Sequence, residues 1–153
     1  MTELKVALIG GGFMGKAHSL AYALAPIGDD IGANVVKQVL VDVDEDVAKR
    51  QAKELGWAEY ATDWRKVIER DDIDIIDVCT PPQFHAEIAI AAAEAGKHVF
   101  VEKPITNDSE EAARMAEVVA RTGVKSQVGF NYRHAPAVEY TKQLLTARKL
   151  GRP

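Results

Sequence analysis

The chain has 153 residues, 47% of them hydrophobic, which bounds it to one domain with a continuous core. Its 19 lysines and arginines against 23 aspartates and glutamates give a net charge of -4, and with no basic run or aromatic platform this argues against nucleic acid as a partner. The longest apolar runs are strand-sized, no basic leader opens the chain, and the single cysteine, Cys79, has neither a disulfide partner nor a zinc spacing, so a cytoplasmic protein without a membrane span or metal is expected.

The first element is the stretch from Leu4 to Gly15. Val6 to Ile9 read as an apolar strand that runs into Gly10, Gly12 and Gly15, and Ala17, Leu20, Ala21 and Leu24 recur behind them at helical spacing. In a G-x-G-x-x-G turn the first glycine makes the bend, the second lets the backbone approach a pyrophosphate, and the third lets the helix pack on the strand. The N-terminus of the helix adds free N–H groups and partial positive charge. Strand, turn and helix together point to dinucleotide binding.

Residues 26–34, with Pro26, Gly28, Asp29, Asp30 and Gly32, read as a loop, and 35–41 as a second strand ending at Asp42. Asp44 is placed to cap a helix whose buried stripe is Val47, Ala48, Ala52 and Leu55 and which Gly56 stops. A short third strand is expected over 57–60, then a short helix capped by Thr62 or Asp63 and reaching Arg70. A stronger strand over 73–79 breaks at Thr80-Pro81-Pro82, because two adjacent prolines cannot continue a central strand. A helix over 85–95 closes at Gly96, a strand over 98–101 runs into Glu102-Lys103-Pro104, and Asp108 with Glu111 forms a capping box for a helix to Arg121. Residues 125–129 are the sixth strand, and 136–150 read as a helix with Tyr140, Thr141, Leu144 and Leu145 on one face. Alternating strands and helices predict an α/β fold, a doubly wound parallel Rossmann sheet over 1–129, with 130–153 as a connecting loop and helix.

The unusual residues cluster at one place in this plan. Gly10 to Gly15, Asp42, Thr80 to Pro82, Glu102 to Pro104 and Asn131 to His134 all follow predicted strand ends, and that edge of an open α/β sheet is the ligand-binding edge. Asp42 is either a solvated turn residue or an acid accepting from both ribose hydroxyls. As a ribose ligand it selects NAD over NADP, because it repels a 2'-phosphate and Val43-Asp44 supplies no arginine. Thr80 and Pro81 are at least a strand stop and also offer a flat surface at the switch point. His85 reads equally as a surface histidine at a helix start or a cofactor contact, while His18 and His98 are expected to be structural. Lys103, with Glu102 before it and Pro104 after it, is held toward the crevice, where a lysine can hydrogen-bond a substrate hydroxyl and offset charge as that oxygen becomes a carbonyl. Asn131 and Arg133 are ordinary loop polars or substrate and cofactor contacts.

The chain resembles the Gfo/Idh/MocA oxidoreductases, the family of glucose-fructose oxidoreductase and inositol dehydrogenases. The matching residues are Gly10 to Gly15 (Gly-Gly-Gly-Phe-Met-Gly) followed by Lys16-Ala17-His18, Cys79-Thr80-Pro81-Pro82 with His85, Ala95-Gly96-Lys97-His98-Val99 leading to Glu102-Lys103-Pro104, and Val128 to Arg133. Pro82 stands where an asparagine is more usual. The resemblance implies cofactor contacts from Gly10, Gly12, Phe13, Met14, Gly15, Asp42, Thr80, Pro81, His85, Glu102 and Asn131. It also implies Lys103 as the catalytic lysine with Glu102 positioning it, substrate contacts from Lys103 and Arg133, and a cis Lys103–Pro104 bond. Family members continue into a second domain carrying an active-site aspartate and histidine, so a substrate domain is expected to be absent from this chain. The implied function is the NAD-binding half of an oxidoreductase that moves hydride between a nicotinamide and a hydroxyl carbon of a sugar or polyol such as an inositol. The alternative is a non-catalytic dinucleotide-binding module, a redox sensor or a structural subunit, which has no use for a positioned lysine. A methyltransferase is a weaker third reading, since Met14 stands where its glycine would be. The uncovered rim and the Leu144-Leu145 face suggest self-association.

Overall fold

The computed structural model describes residues 2–28 and 32–151. Chain order is β1 (Thr2–Ile9), α1 (Phe13–Gly28), β2 (Ala33–Val41), α2 (Glu45–Leu55), β3 (Glu59–Ala61), α3 (Trp64–Ile68), β4 (Ile75–Val78), α4 (His85–Glu94), β5 (His98–Val101), α5 (Ser109–Thr122), β6 (Ser126–Val128) and α6 (Pro136–Thr146). Short 3-10 turns occupy Pro82–Phe84 and Asn131–His134. All strand pairs are parallel, in the order β3-β2-β1-β4-β5-β6. The direction of winding reverses between β1 and β4, and there the doubly wound fold opens a crevice.

Both faces of the sheet are covered. Along β1, Val6 and Leu8 point into a core shared with Leu40, Ala48, Ala52 and Trp57, while Ala7 and Ile9 join a larger core with Ile76, Ile88, Ala92 and Val101. A strand buried on both sides has no polar alternation, which is why Val6 to Ile9 read as an unbroken apolar run. Local signals set the helix ends. Asp44 accepts from Val47 N, Asp63 from Arg65 N, and Gly56 and Gly123 close α2 and α5 in the left-handed region at φ 72.

Several expectations are corrected. The loop expected from Pro26 is still helix to Gly28, because a proline in the last turn keeps a helical φ and gives up one backbone bond; Asp29 and Asp30 lie outside the described residues. The stripe Ala17, Leu20, Ala21, Leu24 does not face the sheet: Leu20 and Leu24 are 56% and 62% exposed. A Cβ on Gly15 would collide with the Gly10 carbonyl oxygen, so the first turn of α1 lies too close to the turn after β1 for any side chain there, and the inner face continues from Gly15 through Ser19 to Tyr22. The third strand starts at Glu59 rather than Trp57, whose buried indole instead donates to Ser19 Oγ at 2.9 Å. The capping box at α5 is relayed: Glu111 Oε2 accepts from Thr106 Oγ1 at 2.7 Å, and Thr106 Oγ1 accepts from Asp108 N at 3.0 Å. The last helix ends at Thr146, short of the expected 150, and Arg148 turns left-handed at φ 55; no residue of α6 is buried. Among the described residues no helix is long and apolar enough to cross a membrane.

Candidate active site

The rim is built by the sheet. Gly10 N donates to Val41 O at 2.8 Å, Asp42 N to Ala61 O at 3.1 Å, Cys79 N to Ile9 O at 2.8 Å, Glu102 N to Val78 O at 2.9 Å and Gly129 N to Val101 O at 2.8 Å. Each of these residues is the first beyond its strand and is bonded to the end of a neighbour. The turns carrying the chemistry therefore leave the sheet along one edge.

At the first turn, Gly10 has φ 106 and a Cβ there would lie 2.8 Å from the backbone of Cys79, so only glycine lets β1 and β4 exit side by side. Above Gly12 nothing lies within 4 Å of an added Cβ. The first amide to bond within α1 is that of Lys16, to Gly12 O at 3.1 Å, which leaves the amides of Phe13, Met14 and Gly15 without intrahelical acceptors. An open glycine beside a helix N-terminus is a cradle for phosphate oxygens. Asp42 closes this side: its Oδ2 accepts from Gly11 N at 2.8 Å and its Oδ1 from Asp44 N at 3.1 Å. Gln51 of α2 leans over the same pair, and its buried Oε1 has no hydrogen-bond partner among the described residues. Nothing in the sequence marks Gln51, which occupies an ordinary polar position of an amphipathic helix.

At the switch point, Thr80 Oγ1 is buried and also lacks a partner among the described residues, so a hydroxyl waits where a ligand would cross from β1 to β4. His85 is 1% exposed and both its ring nitrogens are committed, Nε2 at 2.8 Å from Thr80 O and Nδ1 at 2.9 Å from Pro104 O. It staples the Thr80-Pro81 turn to the Lys103-Pro104 turn. The Lys103–Pro104 peptide is cis. Glu102 is buried, and its Oε2 accepts from the backbone N of Lys103 at 3.1 Å. The Lys103 ammonium has no hydrogen bond or ion pair to a described residue, so the carboxylate holds the main chain and leaves the side chain free.

Beneath Lys103 lies a polar cluster that sequence reasoning did not anticipate. His18 Nδ1 is 2.9 and 3.0 Å from the two oxygens of Asp77, its Nε2 is 3.2 Å from Glu102 Oε1, and Tyr22 donates to Asp77 Oδ2 at 2.9 Å. Cys79 Sγ lies 3.2 Å from His18 Nδ1 and donates to Asp77 at 3.5 Å. Burial of His18 opposes its charge, but the hydrogen bonds and charges of Asp77 and then Glu102 outweigh it and raise its pKa above 6.5. Burial, and after it the Asp77 charge, pushes both the Tyr22 phenol and the Cys79 thiol strongly upward, so each remains a protonated donor. The available signal was Asp77 itself, a fully buried carboxylate in an apolar strand that had to find donors somewhere.

A cavity of about 980 Å³ opens over this cluster, lined by His18, Phe100, Glu102, Lys103, Asn131 and Arg133 among others. Asn131 and Arg133 are exposed in the 3-10 turn after β6, with the Arg133 guanidinium 5.6 Å from the Phe130 ring centre. Glycine cradle, acid, buried hydroxyl and free lysine thus follow one another along the rim. This is an arrangement suited to a dinucleotide with a second reactant beside it.

Comparison with known proteins agrees with this geometry. A family described as "Oxidoreductase family, NAD-binding Rossmann fold" matches residues 4–130. Levoglucosan dehydrogenase of Pseudarthrobacter phenanthrenivorans is 44% identical over 153 residues, covering 99% of this chain and 39% of the relative. The scyllo-inositol 2-dehydrogenase (NAD(+)) of Bacillus subtilis is 34% identical, covering 99% and 42%. A solved levoglucosan dehydrogenase in complex with NADH and levoglucosan superposes with a TM-score of 0.95 at 43% identity, over 99% of this chain and 41% of that one. The chain thus spans about 40% of the length of the relatives it matches.

Proposed function

From a chain that belongs to the Gfo/Idh/MocA oxidoreductase family, we propose the cofactor-binding part of an NAD-dependent dehydrogenase that acts on a hydroxyl carbon of a sugar or polyol. Residues 1–129 form the dinucleotide domain, and 130–153 lead toward the further length that the relatives have. Relatives named for levoglucosan and inositols support the substrate class.

The observation that carries the reading is the Lys103 ammonium, uncommitted at the edge of a 980 Å³ cavity on the same rim as the open Gly12 and the unpartnered Thr80 hydroxyl. Bound NAD would supply the hydride acceptor. The chain's own residues do the rest. Gly10, Gly12, Phe13, Met14 and Gly15 receive the pyrophosphate, Asp42 accepts from the adenosine ribose, and Thr80 and Pro81 flank the nicotinamide half. Lys103 donates to the substrate oxygen and offsets its charge as the carbonyl forms, while the hydride leaves the carbinol carbon for the nicotinamide and the hydroxyl proton goes to a base outside this chain, the role that the resemblance gives to the aspartate and histidine of a second domain. Glu102 sets the backbone of Lys103, His85 supports both turns, Asn131 reaches the cofactor and Arg133 the substrate side. A sensor or structural module would not need a lysine held by its main chain and free at its tip. The exposed outer face of α1 and the unburied α6 support contact with a further domain or a second copy. A cytoplasmic location belongs to the same reading.

Fluorescence titration with NADH is the test, with Lys103→Ala as its control. The chain binds NADH, and the variant binds it within about threefold, because the lysine's contact forms mainly in the transition state. In a version extended to the length of the relatives, Lys103→Ala lowers turnover on inositols and anhydrosugars by about 100-fold or more. Failure of the chain to bind NADH removes the reading.

A further inference from the structure

We propose that His18 is a positioning residue for Lys103: its imidazolium bridges the carboxylates of Asp77 and Glu102 and thereby fixes the carboxylate that holds the Lys103 main chain. The inference rests on the reading of Lys103 as the residue that acts on the substrate oxygen.

The donor count comes first. His18 Nδ1 faces both oxygens of Asp77 and Nε2 faces Glu102 Oε1. A carboxylate only accepts, and a neutral imidazole donates from one nitrogen while presenting a lone pair from the other. A neutral ring would therefore set a nitrogen lone pair against a carboxylate oxygen, whereas the imidazolium donates to both. Asp77, fully buried, takes a further donor from Tyr22, which anchors this end of the bridge.

Sterics then make Glu102 responsive to His18. A Cβ on Gly129 would lie 2.5 Å from Glu102 Oε1, so the carboxylate sits hard against the β6 exit on one side and against His18 on the other. The ring of His18 is held in plane by Phe100, edge-on at 5.2 Å and 79°. With Oε1 fixed in this way, Oε2 is aimed at Lys103 N at 3.1 Å. The path from Asp77 to Lys103 is continuous, running carboxylate, imidazolium, carboxylate, amide. The groups facing His18 are Tyr22 from α1, Asp77 and Cys79 from β4 and its exit, and Phe100 and Glu102 from β5 and its exit. Lys103, Arg133 and His134 line the same cavity.

The experiment follows the His18 ring and the Lys103 amide together by ¹H–¹⁵N NMR of the 153-residue chain across pH. The expected result is an imidazolium pattern for His18 that persists above pH 6.5 and a Lys103 amide shift that moves at the same midpoint as the ring. In Glu102→Gln the His18 midpoint falls. In His18→Gln, with circular dichroism unchanged, the Lys103 amide exchanges about tenfold faster or more, as loss of a charge-assisted bond requires. A neutral His18 ring at pH 6.5, or a Lys103 amide that ignores the His18 titration, overturns the proposal. The wild-type titration decides it even if the variants do not fold. NADH added to the same sample separates the two readings, since loss of NADH binding with the joint titration intact refutes only the functional one.

Discussion

The backbone N–H of Gly11 donates to Asp42 Oδ2 at 2.8 Å, tying the glycine turn after β1 to the end of β2. Together with the bond from Asp44 N to Oδ1, this uses one acceptor position on each oxygen and leaves the outer ones for two hydroxyls of a ribose. A 2'-phosphate in that position meets a carboxylate already fixed by the backbone and unable to swing away. NADH is therefore expected to bind at least about tenfold more tightly than NADPH, a difference of about 1.4 kcal/mol. Asp42→Ala weakens NADH by about the same factor and narrows the gap. Equal affinities for the two cofactors in a fluorescence titration of the wild-type chain contradict this account.

The three motif glycines separate folding from binding. Alanine at Gly15 meets the Gly10 carbonyl oxygen and alanine at Gly10 meets the Cys79 backbone at 2.8 Å in a left-handed conformation, so each destabilises the chain by about 3 kcal/mol or more. Alanine at Gly12 meets nothing, so stability changes by no more than about 0.5 kcal/mol. Its methyl group instead enters the cradle, and NADH affinity falls about tenfold or more. Urea denaturation and NADH titration of the three variants give both numbers, and an unstable Gly12→Ala is the outcome that breaks the argument.

The pH dependence of stability has two limbs. The pKa of His18 is raised above 6.5, so the folded state binds more protons than the unfolded one as pH climbs past neutrality, and stability is lost through the folded value. On the acid side, hydrogen bonds from Arg70 hold the Glu59 and Asp72 carboxyls below 4.5 and 3.8, so their contribution is present above those values and fades as pH falls. These pairs are partly exposed and their share is small. Urea unfolding from pH 4 to 9 is expected to show greatest stability between the limbs, and His18→Gln to flatten the upper one. An upper limb that survives the substitution assigns it to another group.

What could be read from the sequence was what neighbours along the chain decide. Gly10 to Gly15, the Asp44 cap and the Gly56 stop depend on a few adjacent residues and a backbone angle. The rim positions of Asp42, Thr80 and Glu102 followed from counting strands. What escaped was set across the fold. The inner face of α1 is decided by how closely Gly15 approaches Gly10, so Leu20 and Leu24, apolar at the right spacing, still point outward. His18 looked structural because Asp77 and Glu102 are 59 and 84 residues away along the chain, and only the sheet brings them together.

The residues of the rim are held by hydrogen bonds from one strand end to the next, and the helices hold the opposite faces of the same strands. Placement of the chemistry is thus separable from most of the amino acids that cover the sheet, the exceptions being Gly15 and His18 of α1 and His85 of α4, which touch the turns themselves. Drift elsewhere in the helices can raise or lower stability while the turns stay where they are. Under the proposed function, a lineage built on this frame changes the nucleotide it prefers by rewriting the few residues after β2, and the reactant it accepts by rewriting those after β6, leaving the lysine turn after β5 untouched.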